Sequence, residues 1–369
     1  MVRLTGQPKL HSSRSVGIAN ALTIDVEDYF HVSAFETVSP PHTWNERECR
    51  VEQNTIKILR LLDETEVKAT FFVLGWVAKR YPGLVRELLT GGHEVASHGY
   101  GHRRVYNMRR LEFREDVRRS KLLLEDITGE PVMGYRAPSY SISQDCLWAF
   151  DELCEAGYIY DSSVFPIRHD LYGIPDWPRF PFVVERLDDG NWVPLESGQR
   201  LEVSSQSADS GRATGVESRE LKADSYTTAA MSPGLPPSQP SSDQLRPSLI
   251  EVPITTLKLF GRSCPISGGG YFRLFPYDFT RWGLRRINQI DSQPFIFYLH
   301  PWELDPDQPR VEGASWKGRF RHYLNLDRTE ERFGRLLTDF RFRPVREVLN
   351  LPPNSVETGV PGPIAGAFT

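Results

Sequence analysis

The sequence predicts an α/β fold built on a parallel sheet. Three observations carry that expectation. Short apolar runs of strand length alternate with segments whose apolar residues recur every three or four positions. Glycine and proline close the helical segments. Polar residues capable of chemistry stand at the ends of the apolar runs, the edge of a parallel array where sites form.

Taken in order, residues 1–18 read as a loose leader. Ala21 to Val26 is a first buried strand, running into the acidic and aromatic cluster Glu27-Asp28-Tyr29-Phe30-His31. Ile56, Leu59 and Leu62 mark a helix within residues 46–63. Lys68 to Leu74 is a second strand, closed by Gly75. Val77, Tyr81, Leu84, Val85 and Leu88 line one face of the next helix, ended by Gly91-Gly92. A third strand spans His93 to Ser97. Phe113, Val117, Leu123, Leu124 and Ile127 mark a helix stopped by Gly129 and Pro131. Val132 to Ala137 reads as strand and Gln144 to Ala156 as helix, and the alternation continues around Tyr158 to Ser163. Residues 197–247 break it. They are rich in Ser, Pro, Gly and Ala, with Tyr226 as the lone aromatic, so they cannot bury enough apolar surface to offset the entropy of ordering. They read as a disordered surface insertion. Order resumes at Leu249 to Pro253. A helix over 277–290, a strand from Pro294 to Leu299, a helix around 328–339 and a short strand near Arg343 to Val345 complete a domain spanning 19–350. Residues 351–369 read as a flexible Pro/Gly-rich tail.

Composition narrows the function. Net charge is −4, which gives no basic field for nucleic acid. No apolar run approaches membrane-spanning length, and Met1 to Asn20 lacks the apolar core of a signal peptide, so a cytoplasmic protein is expected. Cys49, Cys146, Cys154 and Cys264 have no metal-ligand spacing and read as reduced thiols.

The chemistry centres on His98-Gly99-Tyr100-Gly101-His102. Two imidazoles four residues apart can meet on one face of a helical turn and offer two neutral nitrogens to a metal. Alone, such a pair also suits a solvated helix face. Other strand ends supply more groups: Asp25, Glu27 and Asp28 after the first, Arg136 to Tyr140 after the fourth, Asp161-Ser162-Ser163 after the next, and His300 after the last. Taken alone, Asp161-Ser162-Ser163 suits a cap or turn.

These residues resemble the polysaccharide deacetylases, the NodB-homology proteins of carbohydrate esterase family 4. The resemblance runs from about Ala21 to Ser163, with a final motif at Leu299-His300. It rests on Thr23-Ile24-Asp25-Val26-Glu27-Asp28, His98 to His102, Arg136-Ala137-Pro138-Ser139-Tyr140 and Tyr298-Leu299-His300. The segment Gly261 to Pro276, with its run Gly268-Gly269-Gly270-Tyr271-Phe272-Arg273, is similar to a subgroup found with exosortase (PEP-CTERM) exopolysaccharide loci. The resemblance implies a distorted (β/α) barrel and a hydrolase of non-peptide carbon–nitrogen bonds, acting on an N-acetylated glycan. Proteins of exopolysaccharide assembly would be its partners. It implies Asp25 as general base, Arg136 as the group that holds the Asp25 carboxylate, and His300 as general acid. His98 and His102 would bind a divalent metal, usually zinc, with one acid of the first motif. Tyr140 and Trp302 would line the sugar site, although Trp302 taken alone equally suits a core aromatic.

Two departures stand out. Family members carry adjacent aspartates, whereas Val26 separates Asp25 from Glu27 here. Residues two apart on a strand share a face, which favours Glu27 as the acidic ligand. A strand ending at Val26 would let Asp28 take its place. Gly99 also replaces the Ser or Thr that often follows the first histidine. That look keeps open a cyclic-amide or ureide hydrolase of the allantoinase kind. An inactive carbohydrate-binding subunit is the third reading.

Overall fold

The computed structural model describes residues 17–169, 172–195 and 246–351. The expected leader, insertion and tail lie outside the described residues, apart from residues 17–18, 246–247 and Leu351.

The first strand, β1 (Asn20–Val26), is buried along its whole length. Its side chains alternate between two cores. Leu22, Ile24 and Val26 join the large core beneath the helices, and Ala21 joins a smaller one inside the curled sheet. Thr23 and Asp25 share the inner face with Ala21. Strand–helix units follow: α1 (Val51–Glu64), β2 (Thr70–Val73), α2 (Gly75–Arg80), α3 (Pro82–Thr90), β3 (Glu94–Ser97), α4 (Arg110–Thr128), β4 (Gly134–Tyr135), α5 (Ala149–Glu155) and β5 (Tyr160–Asp161). Each of these strands pairs in parallel with the next. The single helix expected across Val77 to Leu88 is two, because Pro82 starts a new one and Tyr81 before it is non-helical. Gly129 ends α4 in the left-handed conformation, as the sequence suggested. The fourth strand shrinks to two residues. At Gly134 the Tyr160 ring packs where a Cβ would stand.

After β5 the chain forms β6 (Phe182–Arg186), β7 (Trp192–Pro194) and β8 (Ser248–Glu251). β8 runs parallel to β5, and β6 lies antiparallel between β8 and β7. A hairpin of β9 (Thr256–Leu259) and β10 (Arg262–Pro265) leads to α6 (Gly269–Leu274) and α7 (Tyr277–Arg286). The end is β11 (Ile296–Leu299), α8 (Trp316–Tyr323), α9 (Thr329–Asp339), β12 (Phe342–Arg343) and α10 (Val345–Val348). β11 and β12 both pair in parallel with β1.

The sheet order β11-β1-β2-β3-β4-β5-β8-β6-β7 curls into a distorted barrel. The seam is irregular. Thr255, just past β8, accepts the Ile296 N–H at its hydroxyl, and the Tyr298 N–H donates to the Ser267 carbonyl. Gly268 is required there: its φ is +139°, and a Cβ would stand 2.0 Å from the Tyr298 carbonyl oxygen. The C-terminal ends of the parallel strands open on one side and carry the polar residues singled out above. Among the described residues no helix is long and apolar enough to cross a membrane, and the four cysteines are free thiols.

Candidate active site

The histidine pair does not sit on a helix. His98 to His102 form a loop after β3. Two left-handed residues, Gly99 (φ +71°) and His102 (φ +50°), fold that loop back on itself. Asp116 on α4 holds it, accepting the Tyr100 N–H at 2.7 Å and the Gly101 N–H at 3.3 Å. The loop thus converges by turn geometry rather than helical spacing. His98 Nδ1 lies 2.9 Å from the Arg136 carbonyl, so it takes the proton and leaves Nε2 as the free ligand atom.

β1 ends at Val26, and the chain turns there, the Glu27 N–H donating to the Asp25 carbonyl at 3.0 Å, yet it is Glu27 and not Asp28 that reaches the same point. Glu27, His98 and His102 each offer one ligand atom, all within 4.8 Å of one another. Glu27 Oε1 accepts the Trp302 indole N–H at 3.2 Å. Its Oε2 is 2.5 Å from His102 Nε2, yet this buried oxygen has no well-aligned hydrogen bond. A buried carboxylate oxygen beside two imidazole nitrogens is a donor set that suits a divalent cation. Burial works against the Glu27 charge, but His102, then His300 and His98, outweigh it and hold the carboxyl well below its usual range.

Asp28 does not join them. Its Oδ2 accepts the N–H groups of Arg50 at 2.6 Å and Val51 at 2.9 Å, which caps α1, and its Oδ1 accepts the Tyr29 N–H. Burial pushes it up to about 6 despite these bonds.

Asp25 sits on the inner face of β1 with Oδ1 2.7 Å from Arg136 Nη1. Arg136 is fully buried and every nitrogen is used. Nη1 also donates to Thr23 Oγ1, Nη2 to Ser162 Oγ and Nε to the Ser162 carbonyl. The turn expected at Asp161-Ser162-Ser163 is therefore the seat of Arg136. Beneath it, Asp161 and Glu251 form a buried carboxyl pair. Desolvation raises both, Asp161 to about 6 although a hydrogen bond from Glu251 works against it, and the Asp161 charge raises Glu251 further.

His300 faces Asp25 and Glu27 from the end of β11. Its Nε2 is 3.8 Å from Asp25 Oδ2 and 3.6 Å from Glu27 Oε1. Its Nδ1 is 2.7 Å from Glu303 Oε1, and Glu303 Oε2 in turn accepts from Arg273 Nε at 2.6 Å. Burial disfavours the imidazolium, but the Glu303 hydrogen bond and the charges of Glu27, Glu303 and Asp25 prevail and push it up to about 9. With a side chain 17% exposed, His300 is the most accessible of this group.

Trp302 is nearly buried behind the centre, sandwiched between His300 (ring centroids 5.2 Å apart) and His322 (4.2 Å). Tyr140 packs against Tyr298, Phe165 and Tyr172 and is also nearly buried, its hydroxyl without a partner among the described residues. Sequence reasoning missed Asp116, Glu303, Arg273 and His31. The His31 ring lies 6.3 Å from that of His102, and its Nδ1 accepts the Asp28 N–H. Glu303 alone carried a usable signal, three residues past His300 at a strand-to-turn junction.

Comparisons with known proteins point the same way. Residues 42–154 match the family model described as polysaccharide deacetylase, and residues 222–350 match a domain of unknown function, DUF3473. A peptidoglycan-N-acetylglucosamine deacetylase of Bacillus cereus is 31% identical over 99 residues, 27% of this chain and 36% of the relative. A peptidoglycan deacetylase of Helicobacter pylori is 26% identical over 146 residues, 38% of this chain and 48% of the relative. The matched stretches thus span from about a third to a half of these relatives. Among solved structures, the Bc1960 peptidoglycan N-acetylglucosamine deacetylase superposes with a TM-score of 0.39 at 14% identity, covering 89% of this chain and 86% of that one.

Proposed function

We propose that this protein is a metal-dependent hydrolase that removes N-acetyl groups from amino sugars of a bacterial exopolysaccharide or related glycan. The observation that carries the reading is the placement of Asp25 and His300, 3.8 Å apart, beside the Glu27, His98 and His102 donor atoms. One carboxylate is free of that cluster and held by a buried guanidinium, and one imidazolium is held by a buried carboxylate. This is a base and an acid set apart by environment, as amide hydrolysis requires.

Glu27, His98 and His102 would hold the ion, and zinc suits two imidazoles with a carboxylate. Once bound, a divalent cation supplies Lewis acidity toward the acetyl carbonyl and a more acidic water. The chain's own residues do the rest. Asp25 Oδ2 takes a proton from the attacking water while Arg136 fixes Oδ1. The water oxygen bonds to the acetyl carbon. His300 Nε2 gives its proton to the amide nitrogen, and the carbon–nitrogen bond breaks, releasing the amine and acetic acid. The proton on Asp25 then returns to His300, 3.8 Å away. The Trp302 N–H on Glu27 Oε1 keeps the second carboxylate aimed at the donor cluster and out of the proton transfer.

The test is acetate release from chitotetraose by purified protein supplied with zinc, compared with Asp25→Asn and His300→Ala. Release by the parent protein and loss in both variants supports the reading. No release from this or any acetylated amino-sugar oligomer rejects it.

A further inference from the structure

A second concave feature lies outside the stretch matched to the deacetylase model. It is an open groove of about 470 Å³ along α8, bordered by Arg310, Trp316, Arg319, Phe320 and Tyr323. Trp316 is 73% exposed and Phe320 56%. Large aromatic rings left in water beside a concavity mark a binding surface. The charged residues that line it are both cationic. Arg310 and Arg319 are exposed, and neither pairs with a carboxylate among the described residues. Elsewhere on the surface cations do find acids, as Arg104 does on Glu36 and Arg343 on Glu347. Arg310 lies 4.0 Å over the Tyr323 ring, so one guanidinium is fixed at the groove rather than free in solvent.

The groove also adjoins the candidate active site. α8 packs on the segment after β1, so closely that a Cβ at Gly318 would stand 3.5 Å from that of Ala34. His322, on the other face of α8, packs against Phe35 and stacks on Trp302, which stacks on His300. A thin layer of rings separates the two.

We propose that this groove is a subsite for an acidic sugar residue, of the hexuronate kind, in the same glycan chain whose N-acetyl group is presented to His300. The proposal rests on the deacetylase reading and deepens it. The Trp316 and Phe320 faces take the C–H face of a sugar ring, and the guanidinium groups of Arg310 and Arg319 take its carboxylate. A groove suits a chain better than a lipid surface does, and α8, with eight residues, is short for a helix that lies in a membrane interface.

The experiment is calorimetric titration of the full-length protein with a hyaluronan tetrasaccharide, which alternates N-acetylglucosamine and glucuronate, and with chitotetraose. Acetate release from both is followed in parallel. The acidic tetramer should bind at least ten-fold more tightly at low salt, and the advantage should shrink as ionic strength rises. The double variant Arg310→Gln/Arg319→Gln should bring the ratio of the two affinities near one. Arg319→Glu, a single change on an exposed position, should do the same independently. Equal affinities in the parent protein, or a ratio unmoved in these variants, overturns the subsite. Binding to phosphatidylglycerol vesicles that the variants abolish, with no preference between tetramers, assigns the groove to a membrane and also overturns it. The two readings fail separately. Acidic preference without acetate release refutes the deacetylase alone, and acetate release without preference refutes the subsite alone.

Discussion

Replacing Glu303 with Gln would test the acid side of the mechanism most directly. In the folded protein Glu303 is fully buried, with one oxygen on His300 Nδ1 at 2.7 Å and the other on Arg273 Nε at 2.6 Å. The glutamine keeps the shape and removes the charge. A hydrogen bond to a charged group contributes about 1.5–3 kcal/mol, and each 1.36 kcal/mol of barrier is about tenfold in rate. Turnover of chitotetraose should therefore fall by about 10- to 150-fold. The loss should depend on the leaving group. An amine must be protonated as it departs, whereas the phenolate of 4-nitrophenyl acetate need not be, so hydrolysis of that ester should fall much less. His300 is pushed up to about 9, chiefly by Glu303 acting against burial. A cation on Glu27 would draw it back down. The donor works only while protonated, so activity is present below its pKa and lost as pH rises through it. Without Glu303 that loss should move to lower pH. The same sign governs stability: the metal-free parent should lose stability between about pH 6.5 and about 9, and the variant should lose less, since only Glu27 and Asp25 still favour the imidazolium. Arg273 keeps the carbonyls of His322 and Leu324 as partners, so a folded variant is expected, and its melting curve checks this. Equal losses on amide and ester, or no loss on the amide at full metal content, would refute the assignment of Glu303 as the residue that positions the acid.

Metal content separates the acids at the end of the first strand. Glu27→Gln, His98→Ala and His102→Ala should each lose most of a bound divalent ion by elemental analysis. Asp25→Asn should keep the ion and lose about two to four orders of magnitude in rate, the range for a general base. Asp28→Ala should also keep the ion but lower stability by about 0.5–2 kcal/mol in urea, the range for losing a helix cap, here at Arg50 and Val51. Gly99→Ala should destabilise the protein by about 1 kcal/mol or more, because its φ is +71° and the new Cβ would stand 2.9 Å from Asp116 Oδ2. It should also weaken metal uptake, since the loop carries His98 and His102. Deleting residues 200–245 should leave the melting temperature within a few degrees, because loop length costs little, and both flanks are already tied to β6 through Leu195 and Pro247. A large drop would mean that those residues pack on the domain.

The alternation of strands and helices was legible in the sequence because burial imposes local periods, two in a strand and 3.6 in a helix, that any window of residues displays. The same local rule placed Asp25 on the inner face of β1, and chain direction placed Glu27, Arg136, His98 and His300 at one edge of the sheet. Only the tertiary structure decided what those groups do to one another. The histidine pair is brought together by two left-handed residues and by Asp116, a contact across 16 residues that no helical period contains. Asp28 is turned away because the N terminus of α1, 22 residues further on, offers it unpaired N–H groups. Trp302 and Tyr140, expected against the sugar, are almost wholly covered by neighbouring rings, whereas Trp316 and Phe320 on α8 stand exposed. Such outcomes depend on loop dihedrals and on packing between distant segments, and a one-residue change in a turn redirects every side chain beyond it. Local spacing carries no record of that geometry.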